Sequence, residues 1–212
     1  MDNNYKFIVI EGNIGAGKTS LTKRIADQFN AKTILEQFAD NPFLPKFYED
    51  SEKYSFPLEL SFLADRYHQL KAELSSDMFK NFVIADYYFT KSLIFSKNTL
   101  QDDEYKLYRR LFNIIHNSLP KPDLYVYLYL SIENLQRNIQ KRGRNYEKSI
   151  KNEYLEKIQS GYFSYFTQEK DRTFLIIDTN NIDFVNNLED YNRLIDTIFN
   201  HKYEKGVNRV IL

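Results

Sequence analysis

Short apolar runs alternate along the chain with longer stretches in which apolar residues recur at helical spacing. Most of the runs are apolar over nearly their whole length, which is typical of strands buried on both faces of a parallel sheet. This alternation predicts an α/β fold with a central five-stranded parallel sheet and helices on both faces. The predicted strands are Lys6–Glu11, Thr33–Glu36, Phe82–Asp86, Leu124–Leu130 and Phe174–Asp178. The predicted helices are Thr19–Phe29, Glu52–Leu74, Asp103–Leu119, Ile132–Lys141, Lys151–Glu169 and Leu188–Asn200.

Composition fits a single domain spanning residues 1–212, although the pattern assigns no structure to the tail at 201–212. Lys plus Arg and Asp plus Glu both number 29, and this balance disfavours a nucleic-acid partner. The absence of cysteine excludes disulfides and zinc–cysteine sites. No segment resembles a signal peptide, and no apolar run approaches the roughly 18 residues of a membrane span. We therefore expect a cytoplasmic protein with no membrane partner.

Residues 12–19, GNIGAGKT, form a G-x-x-x-x-G-K-[ST] phosphate loop directly behind the first predicted strand. Three of the six glycines of the chain lie in this loop, where backbone N–H groups must approach phosphates closely. Lys18 is expected to reach the outer phosphates, and the Thr19 hydroxyl to hold Mg²⁺. A glycine-rich turn without a ligand is disfavoured because strand, loop and helix are all present. The predicted nucleotide-binding residues are Gly12, Asn13, Ile14, Gly15, Ala16, Gly17, Lys18 and Thr19.

Two acids end the next two predicted strands, at the sheet edge where ligands bind in such folds. Glu36 is placed to take a proton from a hydroxyl that attacks the γ-phosphate, although a helix-capping role fits its position equally well. Asp86 is placed to hold the metal ion, with helix capping as the weaker alternative.

Lys141, Arg142 and Arg144 surround Gly143 after an amphipathic helix. Such a cluster favours a short Arg-rich lid, at about residues 140–150, that clamps phosphoryl oxygens. A basic helix C-terminus that complements the helix dipole is the alternative.

Two other classes of protein also contain a phosphate loop, and the sequence favours neither. Asp65-Arg66-Tyr67 resembles a thymidylate kinase signature, but it lies in a predicted helix. The strand that should carry this signature ends in Asp86-Tyr87, without the arginine that a monophosphate acceptor requires. A nucleoside monophosphate kinase is thus the less favoured alternative. A non-catalytic nucleotide-binding protein or GTP switch is disfavoured because the N-K-x-D and D-x-x-G motifs are missing.

Six segments, in order along the chain, resemble the deoxyribonucleoside kinase family, and in particular its bacterial deoxyguanosine/deoxyadenosine kinase branch, and the resemblance runs from about Lys6 to about Phe184. The resemblance implies a P-loop kinase-type three-layer fold and ATP-dependent phosphorylation of a deoxynucleoside 5′-hydroxyl with Mg²⁺, in deoxynucleotide salvage. It also implies a homodimer formed through the long helices at 52–74 and 103–119. The segments are IEGNIGAGKT, ILE…DNPFL…FYED, YSFPLELSFLADRYHQL, VIADYYFTKSLIFSK, LPKPDLYVYL and KRGRNYEK.

The resemblance also implies roles for individual residues. Glu36 matches the general base, and Tyr48 and Glu147 match the residues that hold the sugar 3′-hydroxyl. Arg142 and Arg144 match the lid arginines, which with Lys18 and Glu36 complete the expected catalytic set. The remaining matches are Glu59, which reads the base edge, Arg66, which contacts the base, Phe95, which stacks on it, Asp86 at the acceptor, and Asp183 and Phe184 around the adenine of ATP.

The chain departs from the family pattern at two places. Many members carry Asp/Glu-Arg-Ser after the third strand, whereas this chain has Asp86-Tyr87-Tyr88. The chain therefore lacks an arginine that supports the general base in those members. In the lid, an arginine often found four residues before Arg142 is replaced by Asn138, with Arg137 beside it.

Glu59 occupies a position that is usually Gln in the family, and this replacement changes the hydrogen-bonding groups that the side chain offers to the base. An ionised carboxylate offers only acceptors, which suits the adjacent N1–H and N2 donors of guanine. Arg66 could donate to guanine O6 and N7. The sequence therefore predicts a preference for deoxyguanosine, with deoxyadenosine next.

Overall fold

The computed structural model describes residues 5–37, 41–74, 79–144, 147 and 149–212. Its centre is a parallel sheet of six strands in the order β2-β3-β1-β4-β5-β6. The strands are β1 (Phe7–Gly12), β2 (Lys32–Ile34), β3 (Val83–Ala85), β4 (Leu124–Tyr129), β5 (Thr173–Asp178) and β6 (Gly206–Ile211). The helices are α1 (Lys18–Phe29), α2 (Phe43–Glu49), α3 (Ser51–Glu73), α4 (Lys91–Thr99), α5 (Asp102–His116), α6 (Ile132–Arg142), α7 (Asn152–Gln168) and α8 (Leu188–Phe199).

The predicted α/β fold is confirmed, with one strand more than the five expected. The tail at 201–212 supplies the sixth, since β6 pairs in parallel with β5 from Thr173↔Gly206 to Asp178↔Ile211. β6 lies at the sheet edge and is only half-buried along its length, which is why its apolar pattern is weak.

The sheet separates two hydrophobic clusters, so the molecule has three layers. Alternate residues of β1 face opposite clusters: Ile8 and Ile10 pack with α1, α6 and α8, and Phe7 and Val9 pack with α3, α4, α5 and most of α7. The second cluster holds most of the buried aromatic rings. The high aromatic content of the chain is thus largely core packing.

Strand register brings three loops to one edge of the sheet. Val9 of β1 and Ile34 of β2 both pair with Ala85 of β3. The residues that follow these strands therefore meet at the carboxyl edge of the sheet, where open α/β sheets bind ligands. No helix within the described ranges is long and apolar enough to span a bilayer.

Candidate active site

The phosphate loop has the backbone geometry that its glycines predict. Gly15 and Gly17 have φ of 86° and 84°, in the left-handed region that favours glycine. A Cβ at Gly15 would lie 2.8 Å from the Leu135 carbonyl oxygen, and one at Gly17 would lie 2.8 Å from the Phe184 ring. Any larger residue at either position would displace α6 or the Phe184 loop from the nucleotide side of the cleft.

Lys18 and Thr19 open α1 and connect the loop to the strand ends. The Lys18 ammonium donates to the Asn13 carbonyl oxygen at 2.9 Å, and the Thr19 hydroxyl donates to Asp86 Oδ2. Asp86 Oδ1 accepts a hydrogen bond from the Glu36 backbone at 2.8 Å. Burial and the neighbouring charge of Lys91 lower the pKa of Lys18 to about 8, although nearby acids oppose this shift.

The Thr19 hydroxyl and the Asp86 carboxylate fit a Mg²⁺ site. Hard oxygen ligands suit this ion, which proteins usually hold through one or two carboxylates together with water and substrate phosphates. The adjacency of the two side chains agrees with the predicted pair of metal ligands.

Glu36 is held by two cations at the centre of the site. Arg66 Nε and Nη2 donate to Oε1 at 3.0 and 2.7 Å, and Lys91 Nζ lies 2.5 Å from Oε2. Burial alone would raise the pKa of Glu36, but the charges of Lys91 and Arg66 outweigh it and lower that pKa to about 2. Glu36 is therefore ionised at neutral pH.

Arg66 has a second hydrogen-bond partner besides Glu36. Its third guanidinium nitrogen, Nη1, donates to the Ser92 hydroxyl at 2.8 Å, and its contact with a nucleobase stays a prediction. All three nitrogens thus donate to Glu36 or Ser92 in this structure. Arg66 supports the Glu36 carboxylate here, and because these bonds use three of its five N–H donors, a bond to a base would not require it to release Glu36 or Ser92.

Glu59 is almost fully buried in α3. Its Oε1 accepts from the Thr99 hydroxyl at 2.9 Å, and its Oε2 has no hydrogen-bond partner among the described residues. Burial, only partly opposed by Arg66 and Thr99, raises the pKa of Glu59 to about 7. Pairing with the two adjacent donors of guanine requires an ionised Glu59, but near neutral pH this carboxyl is divided between its two protonation states.

The lid arginines pair with a nearby acid. Arg142 Nε and Nη2 lie 3.0 and 2.5 Å from Glu147 Oε2, and Arg144 Nη1 lies 3.2 Å from Oε1. Gly143, with φ of 73°, ends α6 between them. Residues 145, 146 and 148 of the predicted lid lie outside the described residues.

Asn138, one of the departures from the family pattern, supports the phosphate loop. Its amide donates to the Gly15 carbonyl oxygen at 2.9 Å. Arg137 and Asn138 both line the cavity beside the loop.

Two cavities meet at this constellation. The inner cavity has a volume of about 130 Å³, and the outer cavity, beside the phosphate loop, of about 970 Å³. Their shared wall consists of Lys18, Thr19, Glu36, Asp86, Arg142 and Arg144.

The cavities divide the predicted residues into two groups. The inner one is lined by Tyr48, Glu59, Arg66, Phe95 and Glu147, together with Ile14 of the loop. The outer one is lined by Gly15, Ala16, Gly17, Asp183 and Phe184. Gly12 and Asn13 line neither cavity. They act beneath the loop, where the Asn13 amide donates to the Leu155 carbonyl oxygen at 2.8 Å.

Several residues in or beside the cavities are not among the predicted site residues. Lys91 carries charge, and Phe62 and Tyr154 widen the aromatic wall of the inner cavity. Arg24 anchors the loop at Phe184, since it donates to the Phe184 carbonyl oxygen at 2.8 Å and stacks 3.7 Å from the Tyr191 ring centre. Lys91 and Phe62 lie within segments that resemble the family, but the resemblance implies no role for either, and Arg24 and Tyr154 lie outside those segments.

A phosphate loop between two cavities, with a buried carboxylate where they meet, defines a phosphotransferase of the P-loop kinase class. The chain belongs to the deoxynucleoside kinase family, whose model matches residues 8–202.

Individual relatives agree with this assignment. The deoxyguanosine kinase of Bacillus subtilis is 39% identical over 199 residues, which are 91% of this chain and 95% of the relative. The deoxyadenosine/deoxycytidine kinase of the same organism is 30% identical over 198 residues, with 90% of each chain covered. The structure resembles deoxyadenosine kinase from M. mycoides with the products dCMP and dCDP bound, with a TM-score of 0.78, 25% identity, and 91% of this chain and 98% of that chain covered.

Proposed function

We propose that this enzyme transfers the γ-phosphoryl group of ATP to the 5′-hydroxyl of a purine deoxynucleoside, with deoxyguanosine preferred and deoxyadenosine next. The observation that carries the proposal is the wall shared by the two cavities, because it holds the phosphate loop, Glu36 and the lid arginines together. A reaction between two substrates requires such a meeting point.

The outer cavity is assigned to ATP. Backbone N–H groups of the loop and the Lys18 ammonium would bind its phosphates, and the segment at Asp183–Phe184 would border the adenine. Mg²⁺ held by Thr19 and Asp86 would neutralise charge on the β- and γ-phosphate oxygens. Arg142 and Arg144 would stabilise the charge of the transferring group once they turn from Glu147.

The inner cavity is assigned to the deoxynucleoside. Phe95 would stack on the base, Glu59 would bind its polar edge, and Tyr48 and Glu147 would hold the 3′-hydroxyl. Support comes from relatives named for deoxyguanosine and deoxyadenosine, and from M. mycoides deoxyadenosine kinase structures with dATP or dCTP bound. A cytoplasmic location, as the sequence predicts, is part of the same proposal.

Glu36 would act as the general base. The 5′-oxygen forms a bond to the γ-phosphorus, its proton passes to Glu36, and the bond to the β–γ bridging oxygen breaks to release ADP. A proton acceptor must be ionised before the proton arrives, and Glu36 meets this requirement at neutral pH.

A phosphorylation panel tests this proposal. Purified protein is given ATP and Mg²⁺ with each of the four deoxynucleosides, and with deoxyguanosine monophosphate in parallel. The expected result is the highest kcat/KM with deoxyguanosine, then deoxyadenosine, and no turnover of the monophosphate. Thymidine as best substrate would overturn the base preference, and turnover of only the monophosphate would support the alternative kinase.

We also propose a homodimer formed through the outer faces of α3 and α5. Leu107 and Ile114, seven residues apart on α5, are 47% and 76% exposed, and Leu60 on α3 is 38% exposed. The opposite face of α5 buries Tyr108 and Phe112 in the core. An apolar stripe on the solvent side of an amphipathic helix is typical of a subunit contact.

A further inference from the structure

Lys91 is a buried charged residue at the start of α4 that no local motif explains. Only 7% of the residue is exposed, and its ammonium lies 2.5 Å from Glu36 Oε2. It also lies 5.3 Å from the centre of the Phe95 ring, so it stands between the catalytic carboxylate and the base end of the inner cavity.

Many family members carry an arginine after the third strand, at the position of Tyr87 in this chain. A tyrosine there supplies no positive charge to the Glu36 carboxylate. Tyr87 is fully buried, and its hydroxyl proton is donated to Gln69 Oε1 at 2.7 Å. The next residues form a turn in which the Lys91 backbone N–H donates to the Tyr88 carbonyl oxygen at 3.0 Å. This turn places the Lys91 ammonium beside the Glu36 carboxylate.

Counting hydrogen-bond sites shows what Lys91 adds. A carboxylate has about four lone-pair sites, two on each oxygen. Arg66 fills both sites of Oε1 with Nε and Nη2. Lys91 fills one site of Oε2. One site on Oε2 is then left open by the described residues.

We propose that Lys91 is a positioning residue for phosphoryl transfer, which together with Arg66 fixes the Glu36 carboxylate so that one site on Oε2 accepts the proton of the acceptor hydroxyl. The inference rests on the proposed function, in which Glu36 is the base. Without Lys91, Arg66 would still hold Oε1, but the carboxylate plane could tilt and Oε2 would lose its alignment with the hydroxyl.

The balance of the step is unchanged by this assignment. The hydroxyl proton moves to Glu36 Oε2 as the bond from the 5′-oxygen to phosphorus forms and the bond to ADP breaks. Lys91 transfers no proton in this step, so its effect acts through the position of Glu36.

Two substitutions separate charge from packing. Lys91→Met keeps the length of the side chain but removes the ammonium, and Lys91→Arg keeps the charge. We expect Lys91→Met to lower kcat on the order of 100-fold while KM for deoxyguanosine stays within about threefold, because the lost interaction orients a reacting group. Lys91→Arg should recover at least about tenfold of that loss, since guanidinium also binds carboxylate. Lys97→Met, at an exposed position of the same helix, is the matched control and should match wild type.

A double variant tests whether Lys91 acts through Glu36. In a Glu36→Gln background, Lys91→Met should cost less than about threefold in kcat, because residues that act as a unit are not additive. The full loss in that background, a rise in KM with kcat unchanged, or equal losses for Met and Arg at position 91 would each overturn the proposal. Wild-type turnover with an unaffected Lys91→Met overturns only the Lys91 proposal, whereas a wild type that phosphorylates no deoxynucleoside overturns the proposed function and this inference with it.

Discussion

At the scale of single residues, the chemistry depends on two glutamates whose surroundings move their pKa values in opposite directions. Lys91 and Arg66 keep Glu36 ionised, whereas burial brings the pKa of Glu59 to about 7. Separation of this kind lets two acids in one cavity serve different tasks. Glu36 suits the proton acceptor, and Glu59 suits recognition.

Base selection should therefore change with pH. Above pH 7 Glu59 is mostly ionised and offers acceptors for guanine, and below pH 7 its protonated form offers one donor and one acceptor, as Gln does. We expect the ratio of kcat/KM for deoxyguanosine over deoxyadenosine to rise by about tenfold from pH 6 to pH 8, since kcat/KM follows the free enzyme.

Glu59→Gln is the control for this effect. Its ratio should be lower than that of wild type and flat across the same range, because the amide does not titrate. A wild-type ratio that is equally flat would mean that Glu59 does not choose the base.

Glu36→Gln should bind deoxynucleoside nearly as well as wild type but lose about 10²- to 10⁴-fold in kcat, because an amide cannot take the proton. The variant also leaves Arg66 and Lys91 buried without their counter-charge, and loss of one partner of a buried pair costs about 3–5 kcal/mol. Steady-state kinetics, nucleoside titration and thermal unfolding should be measured together. Near-normal turnover in a folded variant would rule out the base role.

Candidate site residues differed in how far the sequence could predict them. The phosphate loop and the acids at positions 36 and 86 follow from local spacing and strand ends, and the structure brings them together. Lys91 was not predicted, because its contact with Glu36 joins residues 55 positions apart and leaves no local spacing to detect. The pairing of Arg66 with Glu36 was not predicted, because it depends on a contact between residues 30 positions apart.

At the scale of elements, the long periodic helices and the apolar strands were predicted, and the short helices α2 and α4 and the edge strand β6 were missed. The seven-residue α2 and nine-residue α4 are too short for a clear helical period, and α4 is buried on several sides, with Lys91, Ser92, Ile94 and Ser96 all inside. β6 was missed because a half-buried edge strand shows little hydrophobic contrast with a polar tail. Tertiary packing, rather than local propensity, decides these elements.

In the proposed function, the contact between α6 and the phosphate loop should contribute to ATP binding. Asn138→Ala removes the hydrogen bond to the Gly15 carbonyl oxygen, which contributes about 0.5–1.5 kcal/mol. We expect KM for ATP to rise by about 2- to 12-fold, the same free energy expressed as a ratio, with KM for deoxyguanosine unchanged. Gln140→Ala, at an exposed position of α6, is the control. An equal rise in both KM values would mean that the substitution disturbs the whole cleft.

At the scale of the whole molecule, the apolar stripe on α5 should determine the oligomeric state. Ile114→Glu introduces a charge at a position that is 76% exposed in one chain and buried in the proposed dimer. Sedimentation should shift from twice 25.4 kDa for the wild type to 25.4 kDa for the variant. Ile211→Glu, the same change at a 78% exposed position on β6, should leave the dimer intact. A monomeric wild type would remove the proposal.

The pairing of Arg142 and Arg144 with Glu147 has a consequence for how the two substrates influence one another. The carboxylate holds the arginines where phosphate oxygens would later take them, and the same carboxylate is the proposed partner of the sugar. When ATP draws the arginines away, Glu147 is released to the nucleoside, so each ligand should bind more tightly when the other is present. A non-hydrolysable ATP analogue should therefore lower the Kd for deoxyguanosine, and Glu147→Gln should abolish that dependence. Glu147 would bind either the lid arginines or the sugar, and the enzyme would therefore bind its two substrates cooperatively.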